Sequence, residues 1–170
     1  MAAWQDVYIG LGSNLSNPEE QVLNALDSLK TLPESQWVTH SKLYFSRPQG
    51  PQDQPDFVNA VALLKTQLSP VALLDCLQAL EAAQGKVKQR HWGERLIDLD
   101  IVLYGNETLN TERLTIPHPF MAERDFVLLP LAEISPGLIL PNGSKIKDLI
   151  AELPEGFIIN DRTAEKNREK

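Results

Sequence analysis

The order of elements predicted along this chain, β-α-β-β-α-β, indicates an α+β domain built on an antiparallel sheet. Short runs of branched and aromatic residues alternate with two segments whose apolar residues recur at helical spacing. Each helical segment opens with a proline, Pro18 or Pro70, at a position where a missing N–H costs little. The predicted fold is therefore a ferredoxin-like βαββαβ core, with both helices on one sheet face and the other face open for a ligand.

Local patterns place the first elements. The apolar run Val7–Leu11 predicts the first strand, and Asn17 is expected to cap a helix that begins at Pro18 and ends near Lys30. Two further strands are predicted at Trp37–Phe45 and Phe57–Leu64. We expect the helix to bury a stripe formed by Val22, Leu23, Leu26 and Leu29.

The second helix has clear signals at both ends. Ser69 is expected to cap it and Gly85 to end it. Its predicted buried stripe consists of Val71, Leu74, Leu77 and Leu80 or Glu81.

Two loops have unusual compositions. Residues 47–56 contain three prolines, which exclude a helix or a central strand and predict a long functional loop. Residues 86–95 combine cationic and aromatic side chains: Lys86, Lys88, Arg90, His91, Trp92 and Arg95. A solvated charge run is the usual explanation of such a segment, but the interleaved Trp92 argues against it.

The fourth core strand, Arg95–Tyr104, carries two aspartates in its middle. Strand side chains alternate, so Asp98 and Asp100 share one face with Cα atoms roughly 6.6 Å apart. The apolar face is predicted to contain Ile97, Leu99, Ile101 and Leu103. We expect this strand to sit centrally in the sheet. Aspartate is a poor strand former, so the pair indicates either a cation site or a solvated face, and the strand alone does not decide between them.

Beyond residue 104 the sequence predicts additional small elements. A short strand pair is expected within residues 108–116, one helix or two short ones within 120–134, and a final helix at Ile146–Leu153. Leu138–Leu140 is a further strand candidate. We predict a single domain over residues 1–160 and a disordered tail over 161–170, where Ala164 is the only apolar residue.

Charge and composition exclude several classes of protein. The net charge of −7 argues against nucleic-acid binding as the main role, and no apolar run is long enough to cross a membrane. Cys76 is the only cysteine, which excludes an intrachain disulfide. The first residues lack the basic and apolar regions of a signal peptide, so we expect a cytoplasmic protein.

Carboxylates beside clustered cations suggest a particular chemistry. Carboxylates bind Mg²⁺, while arginine, lysine and histidine bind phosphate oxygens. A second cationic group, Arg113, His118 and Arg124, follows the aspartate strand and could converge on the same place. The residues therefore predict Mg²⁺-dependent chemistry on a polyphosphate.

Four motifs in order resemble one family. They are Gly10–Leu15, Gly50–Asn59, the stretch His91–Val102 with sequence HWGERLIDLDIV, and Arg113–His118. Together they resemble the 6-hydroxymethyl-7,8-dihydropterin pyrophosphokinases of folate biosynthesis, over roughly residues 5–160. The resemblance implies a ferredoxin-like fold and transfer of pyrophosphate from ATP to the pterin hydroxymethyl group, with release of AMP.

The same resemblance implies the site residues. Asp98 and Asp100 would coordinate two Mg²⁺ ions, and with Lys88 and Arg95 they form the expected catalytic set. The implied ATP contacts are Gln78, Glu81, Lys88, Trp92, Arg95, Ile101, Arg113, Thr115, His118 and Arg124. For Glu81 the resemblance leaves two alternatives open, contact with ATP or a place in the outer shell of the metal. The implied pterin contacts are Ser46, Gln49, Phe57, Asn59, Trp92 and Phe126. Within the pterin set, Asn59 would read the amide-like edge, and Phe57 and Phe126 would sandwich the ring.

The expected partners are ATP and the pterin, without nucleic acid or membrane, and the expected state is a monomer. Two alternatives remain open from the sequence: another Mg²⁺-dependent nucleotide transferase, or a ferredoxin-like RNA-binding module. The first would yield a different nucleotide product. The second is opposed by the acidic charge and by the lack of an RNP-type aromatic pattern.

Overall fold

The computed structural model describes residues 3–15, 17–47, 53, 55–85, 96–153 and 158–161, with side chains described as far as residue 153. In chain order the elements are β1 (Gln5–Ser13), α1 (Pro18–Leu29), β2 (Ser35–His40), β3 (Tyr44–Ser46), β4 (Phe57–Thr66), α2 (Pro70–Ala83), β5 (Asp98–Tyr104), β6 (Leu109–Asn110), β7 (Thr115–Ile116), α3 (Asp125–Ile134), α4 (Ile146–Ala151) and β8 (Ile158–Asp161). A 3₁₀ turn, Met121–Glu123, precedes α3.

The main sheet confirms the predicted α+β architecture. Its strand order is β5-β1-β4-β3-β8, with β2 pairing β4 as well, and every pair is antiparallel. Helices α1 and α2 pack on one face over a core formed with alternate residues of β1 and β4. The other face carries a second core, where it meets α3 and α4. The extra C-terminal elements therefore cover part of the face that the sequence predicted to be open.

The strand predicted at Trp37–Phe45 is two strands. β2 pairs with the Ala62–Thr66 part of β4, and β3 pairs with Phe57–Asn59. Ser41 lies between the two strands, and its side chain takes the place of one backbone group of the β-ladder. Its N–H donates to the Val61 carbonyl at 2.8 Å, and its hydroxyl accepts the Val61 N–H at 3.0 Å. A serine that competes for backbone groups thus ends one strand and allows the next to begin.

The prediction that the aspartate strand is central was wrong. β5 pairs only with β1 among the described strands and lies at the edge of the sheet. Its outer side is covered by other elements: Glu81 of α2 accepts the Leu99 N–H at 2.8 Å, and the His118 N–H donates to the Val102 carbonyl at 3.0 Å. These bonds satisfy groups that an edge strand would otherwise expose.

A β-bulge in β5 also changes the predicted alternation. Tyr8 pairs with Leu103 and Ile9 pairs with Ile101, so Val102 has no partner in the β1 register. The side chains beyond the bulge consequently change faces. Leu103 lies in the second core beside Val102, so its placement with Ile97, Leu99 and Ile101 was wrong.

The helices bury slightly different stripes from those predicted. In α1, Ala25 is buried and Leu23 is 49% exposed; in α2, Leu73 is buried and Val71 is 43% exposed. Ser69 caps α2 as predicted, through a hydrogen bond from the Ala72 N–H. Asn17 does not cap α1 with its side chain; its backbone is left-handed (φ 61°), which Asn tolerates better than most residues.

The C-terminal part agrees largely with the sequence. β6 and β7 form the expected short pair, and the 3₁₀ turn with α3 corresponds to the two-piece alternative. The candidate strand Leu138–Leu140 is reduced to one bridge between Ile139 and Lys145, and β8 was not predicted. Asp161, the first residue of the predicted tail, belongs to β8, and residues 162–170 lie outside the described part of the chain. In the described part of the chain, no helix is long and apolar enough to cross a bilayer.

Candidate active site

The second sheet face is divided into a covered half and an open half. The covered half consists of Tyr8, Val61, Val102 and Leu103, which pack against α3 and α4. The open half lies farther along the same strands, where Asp98 is half-buried and Asp100 is exposed. The predicted metal-binding carboxylates therefore lie on the accessible part of this face.

The strand register places Asp98 in the same row as Asn59, one of the predicted pterin contacts. Asp98 pairs with Gly12, and Gly12 pairs with Asn59, so the three form one row across β5, β1 and β4. In the next row on the same face, two residues along each strand, Asp100 pairs with Gly10 and Gly10 pairs with Val61. With neighbouring strands about 4.8 Å apart, the Asp98 and Asn59 backbones are separated by roughly 10 Å.

The two glycines opposite the aspartates contribute no side chain, and neighbouring side chains lie close to the positions that a Cβ would occupy. A Cβ at Gly12 would lie 3.2 Å from Asn59 Oδ1 and 3.8 Å from Phe57 Cδ1. A Cβ at Gly10 would lie 3.2 Å from Val102 Cγ2. The sequence identified these glycines only as part of the motif Gly10–Leu15, because their position opposite the aspartates depends on the strand register.

Asn59 is held in place within a small polar cluster. Its Nδ2 donates to Ser46 Oγ at 2.6 Å, and the two side chains are 5% and 1% exposed. Ser46 pairs with Phe57 across β3 and β4, so this face of the sheet also carries the half-buried Phe57 ring. The structure thus brings three predicted pterin residues together at one end of β4.

Arg124, the residue before α3, lies near Asp100 of β5. Burial lowers the pKa of its guanidinium, while the carboxylates of Asp100 and Glu123 act in the opposite direction. The guanidinium lies 5.6 Å from the centre of the Phe126 ring and 5.1 Å from that of Phe120, within cation–π range. The side chain therefore places a positive charge near Asp100, against aromatic rings.

His118 is neutral at pH 7. Burial lowers its pKa from 6.5 to about 4, and the positive charge of Arg124 acts in the same direction. The Phe120 N–H donates to Nδ1 at 3.3 Å, which assigns the ring proton to Nε2. His118 therefore provides a hydrogen-bond donor at Nε2.

The predicted adenosine residues surround the outer edge of β5. Arg113 Nη2 donates to Gln78 Oε1 at 3.2 Å and forms an ion pair with Asp75, one helical turn before Gln78. Thr115 is half-buried in β7, which packs beside β5. The Ile101 side chain is 3% exposed in the first core, so only its backbone is available to a ligand at this edge. Asp75 was not predicted; its position three residues before Gln78 was the available signal.

Glu81 was predicted to contact either ATP or the outer shell of the metal, and in the structure its carboxylate binds the backbone of β5. It is 7% exposed, and Oε2 accepts the Leu99 N–H. Four other predicted residues lie outside the described part of the chain: Gln49, Lys88, Trp92 and Arg95. Their roles, like those of the residues placed above, stay predictions.

The donor set fits a hard cation that is bound together with a phosphate ligand. The described residues contain no group of three or more His, Cys, Asp or Glu side chains arranged to hold a metal ion. Mg²⁺ commonly uses one or two carboxylates and takes its remaining ligands from waters and substrate phosphates. Two accessible carboxylates facing glycines, with Arg124 close by, are consistent with that mode.

Comparisons with known proteins agree on one family. A model of the family described as 7,8-dihydro-6-hydroxymethylpterin-pyrophosphokinase matches residues 8–136. A 2-amino-4-hydroxy-6-hydroxymethyldihydropteridine pyrophosphokinase of Haemophilus influenzae is 53% identical over 152 residues, which is 89% of this chain and 95% of that protein. The protein of the same name from Pseudomonas aeruginosa is 51% identical over 150 residues, or 88% and 93% of the two chains.

A solved structure supports the fold independently. Wild-type HPPK-DHPS of Plasmodium falciparum with pteroate matches with a TM-score of 0.70 at 14% identity. The match covers 89% of this chain but 43% of the Plasmodium chain. At this level of identity the similarity concerns the fold alone.

Proposed function

Since the chain belongs to the 7,8-dihydro-6-hydroxymethylpterin-pyrophosphokinase family, we propose that it transfers the pyrophosphoryl group of ATP to the hydroxymethyl oxygen of 6-hydroxymethyl-7,8-dihydropterin and releases AMP. This is a step of folate biosynthesis. One observation from the structure supports the proposal most directly: in the row Asp98–Gly12–Asn59, a carboxylate and the amide proposed to read the pterin lie on either side of a glycine.

Asp98 and Asp100 would hold two Mg²⁺ ions at the polyphosphate end of this row. Bound there, the metal would neutralise phosphate charge and lower the pKa of the attacking hydroxyl. The chain's own contribution is to present two carboxylates from one strand face with fixed spacing. A rigid strand orients such ligands better than a loop would.

Arg124 and His118 would bind phosphate oxygens. Arg124 is partly desolvated, which strengthens its interaction with an anion, and its planar guanidinium can donate two parallel hydrogen bonds. His118 would act as a neutral donor through Nε2 rather than as a cation or a general acid. Lys88 and Arg95 are proposed to complete the phosphate contacts from the basic loop, with Trp92 nearby.

The pterin would bind at the other end of the row. The Asn59 side chain offers a carbonyl acceptor and a second amide N–H beside it, which match an edge with adjacent donor and acceptor. Its hydrogen bond to Ser46 uses one N–H and fixes the plane of the amide. Phe57 and Phe126 are proposed to stack on the ring, and Gln49 to contact its edge.

The adenosine would lie along the outer edge of β5. Gln78, Arg113 and Thr115 provide polar side chains there, and Ile101 provides backbone groups. Unpaired backbone groups on an edge strand are suitable for reading the edge of a planar base. The Asp75 carboxylate would keep Arg113 on this side of the molecule.

Chromatography of the nucleotide products tests the reaction. The chain is incubated with Mg²⁺, ATP and 6-hydroxymethyl-7,8-dihydropterin, and we expect AMP in equal amount to the pyrophosphorylated pterin. Formation of ADP would contradict pyrophosphoryl transfer and support another Mg²⁺-dependent nucleotide transferase. Asp98→Asn is the matched control, since it keeps the shape of the side chain but removes the charge that binds the metal.

A further inference from the structure

A buried carboxylate lies directly behind the aspartate strand. Leu73, Leu77 and Glu81 recur every four residues and form the buried stripe of α2. The first two are apolar and fully buried, whereas the third is a carboxylate that is 7% exposed. An apolar residue would continue this stripe at lower desolvation cost, so the carboxylate at this position requires an explanation.

The carboxylate is bound to the peptide group between the two aspartates. Glu81 Oε2 accepts the Leu99 N–H at 2.8 Å. That N–H belongs to the peptide unit that joins Asp98 to Leu99, and the next residue is Asp100. Because β5 is an edge strand, Glu81 takes the place that a neighbouring strand would have on this side.

This bond acts on the aspartates from the opposite side of the sheet. The Leu99 side chain points into the first core with α2, while Asp98 and Asp100 project from the other face. Holding the Leu99 amide fixes the backbone dihedral angles around it and therefore the relative directions of both carboxylates. Partners that orient metal ligands in this way commonly determine metal affinity.

We propose that Glu81 is a positioning residue, whose hydrogen bond to the Leu99 amide holds Asp98 and Asp100 in the arrangement that binds divalent cations. The proposal rests on the proposed function and deepens it. It assigns Glu81 to the protein backbone rather than to ATP. Its physical requirement is a hydrogen-bond acceptor at this position, and a negative charge is not required.

The first measurement is hydrogen exchange of the Leu99 amide, followed by NMR without metal or substrate. We expect slow exchange in the wild-type chain and in Glu81→Gln, which keeps an acceptor oxygen, and at least about 10-fold faster exchange in Glu81→Leu. Rapid exchange of this amide in the wild-type chain would overturn the proposal even if Glu81→Leu failed to fold.

The second measurement is binding of Mn²⁺ in the presence of a saturating non-hydrolysable ATP analogue, with Mn²⁺ as a paramagnetic probe followed by EPR. Glu81→Leu should weaken the affinity by roughly 10-fold or more, whereas Glu81→Gln should stay within about 3-fold of the wild type. Leu77→Ala is the matched control: it perturbs the same buried stripe one turn earlier, and it should lower Tm without changing Mn²⁺ affinity.

The outcomes separate the alternatives. If Glu81→Gln lost as much affinity as Glu81→Leu, the charge of Glu81 would be the active feature and the positioning role would be wrong. If Leu77→Ala weakened Mn²⁺ binding as much as Glu81→Leu, the effect would be explained by a general loss of packing, and the positioning role of Glu81 would be wrong. Both measurements are made without turnover, so a wild-type chain that formed no AMP would refute the proposed reaction while leaving this test intact.

Discussion

Replacing Gly12 by alanine is expected to weaken pterin binding selectively. The added Cβ would lie 3.2 Å from Asn59 Oδ1 and 3.8 Å from Phe57 Cδ1, both in the proposed pterin site. Gly12 is not one of the glycines with positive φ, so the backbone accepts alanine without strain. The effect should therefore come from the methyl group alone.

The size of the expected loss of pterin affinity follows from the displacement of Asn59 by the added methyl group. Asn59 has to move by a few tenths of an ångström, away from the geometry of its 2.6 Å hydrogen bond to Ser46. Disturbing one neutral hydrogen bond costs about 1 kcal/mol, so pterin affinity should fall by roughly 5- to 10-fold. Affinity for the Mg²⁺ complex of a non-hydrolysable ATP analogue should change by less than about 2-fold, since the perturbed contacts to Asn59 and Phe57 lie in the proposed pterin site and not among the proposed phosphate contacts.

Titration calorimetry with each ligand measures both affinities. Gly10→Ala is the matched control, because it adds the same methyl group to the same strand face but meets Val102 Cγ2 at 3.2 Å instead of the pterin residues. We expect it to lower stability without a selective loss of pterin binding. Wild-type pterin affinity in a folded Gly12→Ala variant, or equal losses for pterin and nucleotide, would refute this reasoning.

Three further predictions concern other parts of the site. Asp98→Asn and Asp100→Asn should each abolish AMP formation while changing the free energy of unfolding by only about 0.5 kcal/mol, as both side chains reach solvent; a large loss of stability in denaturant titrations would indicate a structural role instead. Asn59→Ala should weaken pterin binding more than ATP binding in the same calorimetric assay, and equal effects would contradict its proposed role. The His118 pKa is about 4 in the folded chain against 6.5 ordinarily, so the unfolded chain takes up a proton first; stability should fall by about 1–3 kcal/mol as the pH decreases from 6.5 to 4, and His118→Gln should lack this component in urea titrations at each pH.

The element order was predictable because the local signals were strong. Helix-starting prolines, periodic apolar residues and glycines at the ends of elements gave the correct order of helices and core strands, except that the strand predicted at Trp37–Phe45 is divided into β2 and β3. What local patterns do not contain is the arrangement of strands in the sheet. The position of β5 at the edge depends on which strand pairs with β1, and this is decided by tertiary packing.

The errors inside elements have similar causes. Helical spacing alone does not distinguish the stripe containing Val71 from that containing Leu73, because both are apolar and only the helix orientation on the sheet decides between them. The break at Ser41 depends on hydrogen bonds to Val61, twenty residues later in the sequence. The metal-ligand candidates were found because aspartate is unusual in a strand. Gly10 and Gly12 contributed to the family resemblance, but their place opposite the aspartates became known only from their strand partners.

The open site depends on the register of three strands rather than on any one of them. Along the second face the change from apolar residues comes between Tyr8 and Gly10 in β1 and, opposite it, between Leu103 and Asp100 in β5. In β4 it comes one row later, between Val61, which pairs with Gly10, and Asn59. The apolar ends together form the surface on which α3 and α4 pack, and the polar ends consequently stay accessible.

The bulge at Val102 makes this division possible in β5. Strict alternation would place Tyr104 on the same face as Asp98 and Asp100, and Leu103 on the opposite one. With the bulge, Val102 and Leu103 both enter the second core, while Tyr104 turns to the first core and its hydroxyl donates to the Leu68 carbonyl. One extra residue thus lets β5 bury apolar side chains under α3 and α4 and still present both carboxylates to the open half, which is the arrangement that the proposed reaction requires.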